Sequence, residues 1–358
     1  MSSKKFLSLL IVLALALSFV LTACSNGDPG QTEAEPPDSS VAALTGDGAA
    51  PSEEQGMSTD DMLIYYIGKN AASNFWRMVN EGAVQAGEEH GVKVVSLNPN
   101  SEQEVQGQIT MVEEAVNAGA HAIVLGPLDT QALIQACVEA RAAGVKVIII
   151  DSLIQSDDYE VAYRTDNKAA AETMAEMMAE ELGGKGNIWL LSSMPGSEVD
   201  QILQNSFIAY MNANYPDIKI INQDNIVYCQ NDILTGTTLT LDAIAANSAT
   251  LDGIYCTTGN ATKGAAQAVL ESKRTDLVLY GSGLYDTTLH LLEDAVDKAF
   301  LQQARLVGYT GCDAAIRILK GEQIEKGIDT LDVVVVDKDN MYTDEVQNLL
   351  FEPVPPLN

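Results

Sequence analysis

The chain has 358 residues, of which 50 are acidic and 20 basic, for a formal charge of −30. That balance excludes a nucleic acid as partner, because such binding needs a basic footprint that displaces counterions. A hydrophobic fraction of 46% supplies apolar side chains for a packed core.

In chain order, residues 1–23 read as an export signal. Lys4 and Lys5 precede an almost unbroken apolar stretch, 6–21, whose length of ~16 residues is marginal for a permanent span. Leu21-Thr22-Ala23-Cys24 then resembles the bacterial lipobox, in which the cysteine is lipidated and becomes the mature N-terminus. The resemblance implies lipidation of Cys24, with enough acyl chain to hold the protein on the outer face of the cytoplasmic membrane. An ordinary signal peptide with an incidental cysteine is the alternative. Residues 24–60 are rich in Gly, Pro, Ser, Ala and acids and hold almost no large apolar residue, so they read as a flexible tether. What remains, roughly 300 residues, suits two domains of ordinary size.

From residue 62 onward, apolar strands alternate with amphipathic helices. Strands are expected at 62–67 and 92–97, with helices at 75–89 and 102–118. The run 122–125 stops at Gly126-Pro127, and Asp129 or Thr130 can cap the following helix. That helix carries Leu133, Ile134, Cys137 and Ala140 on one stripe. Gly144 ends it, and 145–150 is continuously β-branched, the composition of a strand covered on both faces. Asp151 follows at the carboxyl end, where open α/β sheets bind ligands.

A short strand at 159–163 and a helix at 168–182 lead to a restart of the same programme. Strands are expected at 187–191, in 217–227, at 253–256 and at 277–280. The helices between them run from about 198 to 214, 233–246 and 261–272. The tail offers a helix at 289–296, a strand at 299–302, a helix at 306–320 and a strand at 331–336. Two tandem halves of this kind imply two similar α/β domains with parallel sheets and right-handed crossovers.

The segment "AIVLGPLDTQALIQACVEARAAGVKVIIID" at 122–151 resembles the sugar-type periplasmic binding proteins, the ribose- and galactose-binding group, and the likeness extends over about 62–337. The resemblance implies two Rossmann-like parallel-sheet lobes joined by a hinge that the chain crosses three times, near 164–166, 302–303 and 327–331. One lobe would hold 61–165 and about 303–328, the other 166–302 and about 329–345.

The same resemblance places ligand-binding residues in the loops after the strands. Ser73, Asn74, Phe75 and Trp76 stand where the family has a polar residue and paired aromatics. Either aromatic could instead anchor its helix in the core. Asp151 is kept from a family Asp-Arg pair, with Ser152 in place of the arginine, and Asp166 and Asn167 suit the hinge and a helix start. On the second lobe the family arginine falls near Leu203, where Gln201 or Asn205 could contribute. Thr257, Thr258, Asn260 and Gln302 complete that wall, with Asp286 beyond Gly281-Ser282-Gly283. Neutral hydrogen-bonding groups at these positions imply a neutral, hydroxyl-rich ligand.

Catalysis finds no footing. His90, His121 and His290 are scattered, no HExxH or GxSxG motif occurs, and "GNATKG" lacks the Lys-Ser/Thr of a phosphate loop. Neither a cofactor nor a metal is implied. Cys137, Cys229, Cys256 and Cys312 show no CxxC spacing, which leaves buried thiols or one disulfide open. The expected function is a monomeric, lipid-anchored receptor that hands a sugar-like ligand to an ABC permease. A sensory module presenting its ligand to a chemoreceptor or sensor kinase is the second reading.

Overall fold

A computed structural model describes residues 56–283, 285–351 and 353–354. The signal segment and Cys24 lie outside the described residues. No helix among the described residues is long and apolar enough to cross a membrane.

The first run of elements is β1 (Leu63–Ile67), α1 (Asn74–His90), β2 (Lys93–Leu97), α2 (Val105–Asn117), β3 (Ala122–Leu125), α3 (Ile134–Ala142), β4 (Lys146–Ile150) and β5 (Val161–Thr165). The second is α4 (Asn167–Glu181), β6 (Gly186–Ser192), α5 (Glu198–Asn214), β7 (Ile218–Ile220), β8 (Val227–Tyr228), α6 (Ile233–Ala246), β9 (Gly253–Cys256), α7 (Gly259–Ser272), β10 (Val278–Gly283), α8 (Tyr285–Leu292) and β11 (Lys298–Leu301). The tail adds α9 (Ala304–Leu319), β12 (Ile328–Leu331), β13 (Val334–Val336) and α10 (Asp344–Phe351).

These strands form two sheets. The first has the order β12-β5-β4-β3-β1-β2 and is parallel throughout. The second runs β13-β11-β10-β9-β6-β7, with β8 also on β6, and its antiparallel pair is β13 with β11. Helices cover both faces of each sheet, which is why the central strands are apolar on both sides. Every residue of β3 and of β9 is buried.

The chain passes between the sheets three times, after β5, after β11 and between β12 and β13. The crossings are laced together. The Asp166 N–H donates to the Leu331 carbonyl at 3.0 Å, Gln303 Nε2 to the Asp332 carbonyl at 3.1 Å, and Gln302 Nε2 to Asn167 Oδ1 at 3.1 Å. Asp166 also caps α4, accepting from the Ala169 N–H at 3.0 Å, so the hinge and helix-start reading of this residue describes its contacts.

The return of α9 to the first lobe depends on close helix packing against α1. A Cβ at Gly308 would stand 1.8 Å from the Val79 carbonyl oxygen, so only glycine permits the approach.

The structure departs from the expected elements in three places. The apolar run 331–336 is two strands, not one, because Asp332 and Val333 carry the chain from one sheet to the other. The 217–227 region holds two short strands separated by turns. The helix expected at 289–296 is α8. It begins earlier, and Ala295 and Val296 instead pack in the turn that follows, both with N–H groups on the His290 carbonyl. Cys137, Cys229, Cys256 and Cys312 are all buried free thiols. Buried apolar surroundings push the Cys137 and Cys312 thiols up to about 12, so they behave as inert core residues.

Candidate functional site

The carboxyl ends of both sheets face one cleft, with a cavity of about 90 Å³ between them.

On the first wall the chain leaves β1 and places Lys69 directly beneath Asp151. Lys69 Nζ lies 2.6 Å from Asp151 Oδ2 and 2.6 Å from Ser152 Oγ. The two charged side chains are only 5% and 9% exposed. Asp151 is held in the left-handed region at φ 66°, while the Ser152 N–H donates across it to the Ile150 carbonyl at 2.8 Å. This tight γ-type turn is a strained geometry for a residue with a Cβ, and here it aims the carboxylate at the lysine. Ser152, expected in the site, is buried and tied to Lys69 and does not line the cavity.

Ser73, Asn74, Phe75 and Trp76 line the cavity as expected. Trp76 is 3% exposed within the core and also lines the cavity. Its ring rests on Gly126, where a Cβ would sit 2.5 Å from Cη2. Phe75 meets it edge-on at 5.3 Å and 84°, and Lys69 Nζ stands 5.4 Å from its ring centre.

The second wall corrects the expectation of neutral groups. Asp200, in the first turn of α5, is 2% exposed. It accepts from the Ser193 N–H at 3.1 Å, the Met194 N–H at 3.2 Å and the Thr257 hydroxyl. Burial raises its carboxyl above the ordinary range, against the pull of those donors. Asn205 is exposed on the opposite face of α5, and Leu203 is a core residue. The reason is helical phase: three- and four-residue steps from Asp200 lead to Leu203, Gln204 and Phe207, while Gln201 and Asn205 turn outward. Further along, Lys263 Nζ donates to Asp286 Oδ2 at 2.7 Å, and Asn74 of the other lobe donates to the same oxygen at 2.9 Å. Burial lifts the Asp286 carboxyl, but the hydrogen bond and charge of Lys263, with Asn74, outweigh it and leave the group below its ordinary value.

The remaining expected residues line the cavity, each with a structural partner already. The Thr258 hydroxyl caps α7 through the Ala261 N–H at 3.3 Å, Asn260 Nδ2 donates to the Asn231 carbonyl at 2.9 Å, and Gln302 is tied to Asn167. Two further carboxylates span the cleft. Glu198, at the start of α5, accepts from Arg164 Nη1 at 2.8 Å and from the Leu153 N–H at 2.5 Å. Glu102, ahead of α2, accepts from Asn231 Nδ2 at 2.7 Å. Lys69, Glu102, Asp200 and Lys263 were missed by sequence reasoning. The rule that singled out Asp151 (a polar residue just past a strand end) also fits Lys69 in "YYIGK".

Lining the cavity are thus two lysines, each paired with an aspartate, and two more carboxylates that already accept hydrogen bonds. Such a cleft presents fixed donors and acceptors from both sides of an aromatic floor. Among the described residues no cluster of His, Cys, Asp and Glu could hold a metal ion.

The family described as periplasmic binding protein domain matches residues 64–323 of this chain. A xylitol-binding protein of Mycolicibacterium smegmatis is 25% identical over 71% of this chain and 71% of its own length. The ribose import binding protein of Bacillus subtilis is 22% identical over 91% of this chain and 96% of its own length. Among solved structures, an ABC transporter solute-binding protein from Agrobacterium vitis with bound D-fucose is 32% identical. It covers 81% of this chain and 100% of that one, with a TM-score of 0.76. A carbohydrate transporter solute-binding protein from Agrobacterium radiobacter in complex with D-arabinose is 28% identical, covers 81% and 99%, and has a TM-score of 0.76.

Proposed function

This chain belongs to the periplasmic binding protein family through residues 64–323, and on that premise we propose that it is an extracytoplasmic solute receptor. It captures a small neutral polyhydroxylated ligand, a sugar, in the interlobe cleft and delivers it to an ABC permease. It is a binding protein and not an enzyme.

The observation that carries this reading is the pairing of charges. Lys69 and Lys263 are each bound to an aspartate at 2.6 and 2.7 Å. An anionic ligand would need a free cation, because burying an unpaired charge is costly. A cationic ligand would need a free carboxylate, yet Asp151 and Asp286 are in ion pairs and Asp200 and Glu102 hold donors. A hydroxyl both donates and accepts, so it can join each of these pairs without a net charge. The floor formed by Phe75 and Trp76 offers an apolar face to sugar C–H groups. The proteins with D-fucose and D-arabinose lend support through their ligands.

The lobes close around the ligand as a clamshell about the laced crossings. The first lobe comprises residues 61–165 and about 303–331, the second 166–302 and about 332–345, with the boundaries drawn at the crossings. The receptor acts as a monomer, exported and held at the membrane by a lipid on Cys24.

A thermal-shift screen tests the function. Neutral probes (D-fucose, D-arabinose, D-ribose and xylitol) are compared with sugar phosphates and sugar acids. A ligand at a hundred times its Kd adds about 2.7 kcal/mol to apparent stability. At least one neutral probe is expected to raise the melting temperature. A response confined to the anionic probes overturns the neutral-sugar reading.

A further inference from the structure

Glu102 lies on the first lobe between β2 and α2, and its side chain reaches across the cleft. Its Oε1 accepts from Nδ2 of Asn231 at 2.7 Å, and Asn231 belongs to the second lobe, between β8 and α6. Beside it, Gln103 Nε2 donates to the Gln230 carbonyl at 3.2 Å. Gln230 and Asn231 both occupy the left-handed region, at φ 57° and 53°, so the backbone is bent to present this contact. Asn260 holds the Asn231 carbonyl from the other side at 2.9 Å.

The charges around Glu102 are asymmetric. Lys69 and Asp151 of the first lobe and Asp200 of the second line the same cavity as Glu102. The lysine is already committed to Asp151 at 2.6 Å. Asp129, which shares the adjoining recess, is engaged by the Gln131 and Ala132 N–H groups. Glu104 and Asp232 are engaged by the Asn100 and Thr235 N–H groups. Closing the lobes therefore gathers an ionised Glu102 into one cavity with two more carboxylates, Asp151 and Asp200, and a lysine already paired with one of them. A protonated Glu102 avoids that repulsion and still accepts from Asn231.

We propose that Glu102 is a positioning residue whose protonated form latches the lobes together, so that closure of the cleft takes up a proton. The proposal rests on the cleft being one that opens and closes, and it is independent of which sugar binds. In the closed arrangement burial lifts the Glu102 carboxyl to about 7, with Asp200 and Asp151 adding to the rise, and Lys69 and the hydrogen bond from Asn231 opposing it without cancelling it. With the lobes apart, the group meets water and returns toward about 4.3. The closed form thus binds more protons between these two values, and its advantage is present in acid and lost as pH rises through about 7. The closing equilibrium should fall on the order of tens-fold between about pH 5 and pH 8, and apparent ligand affinity follows the closed fraction.

Small-angle X-ray scattering on the exported chain at pH 5 and pH 8, with wild type beside Glu102→Gln, tests this. Wild type should expand as pH rises, whereas the Gln variant, a mimic of the protonated group, should keep one radius of gyration. Guanidinium unfolding gives a second readout, in which the stability of Glu102→Gln relative to wild type rises from pH 5 to pH 8. A wild-type radius that ignores pH overturns the proposal, as does a variant that follows the wild-type curve or a stability difference that stays constant. Neither readout needs a bound sugar. A failure of D-arabinose, added as a separate probe, to compact the protein at pH 5 counts against the function proposed above and leaves the latch to these two measurements.

Discussion

Lys69→Met keeps the length and apolar stem of the side chain and removes its charge. The lysine bonds Asp151 at 2.6 Å, and the two side chains are 5% and 9% exposed, so little solvent can take over its role. Removing one member of a buried pair costs about 3–5 kcal/mol, because the other is left as an uncompensated charge. Two features place this site at the lower end. Asp151 keeps the Ser152 hydroxyl at 3.1 Å, and the methionine sulfur can rest on the Trp76 ring, a contact worth roughly 0.3–1.5 kcal/mol. A net loss of about 2 kcal/mol is therefore expected. The double variant Lys69→Met/Asp151→Leu removes both charges and should be more stable than the single one. Urea unfolding at pH 7 of the four proteins in the cycle measures the coupling, expected at about 1 kcal/mol or more. A single variant within about 0.5 kcal/mol of wild type, the usual range for neutral surface changes, would show that the pair does not matter to the fold. A double variant whose loss equals the sum of the singles would show that the two residues do not act together.

Three further expectations follow from the same geometry. Gly126→Ala drives a methyl group to 2.5 Å from the Trp76 ring, which should cost about 1–3 kcal/mol by overpacking and lower ligand affinity through the displaced indole; chemical unfolding beside a binding titration checks both, and an unchanged variant refutes the packing. Asp286 titrates below its ordinary value in the fold, with Lys263 among the causes, so its contribution is present above the ordinary carboxylate range and lost as pH falls through the folded value. Lys263→Met should flatten the acid limb of stability measured from pH 5 downward, and an identical slope would dismiss the pair as its source. Cys24→Ala should move the protein from the membrane fraction to the soluble one, and a variant that still sediments with membranes at high salt rules out a lipid on this residue.

The alternation of strand and helix, the repetition of the pattern in two halves and the placement of Asp151 were all legible along the chain. Each rests on local chemistry: a β-branched run such as 145–150 favours a strand covered on both faces, Gly144 stops a helix, and a strand's carboxyl end opens toward a ligand. The aromatic pair Phe75-Trp76 was legible for the same reason, its position after β1. What stayed hidden depends on contacts between distant residues. Lys69 and Asp151 are 82 positions apart, and Asn74 and Asp286 are 212 apart. A string of letters cannot show whether such charges are free or paired, and the electrostatic character of the cleft turns on that. That Asp200 lines the cleft while Gln201 and Asn205, the residues offered by the sequence, turn outward was set by the phase of α5, because a helix turns by 3.6 residues and an offset of one swaps its buried face for its exposed one. The run 331–336 has the composition of one strand. Only the hinge assigns Ile328–Leu331 to the first sheet and Val334–Val336 to the second, because the choice of partner edge is made by the hydrogen-bond ladders available on either side of Asp332.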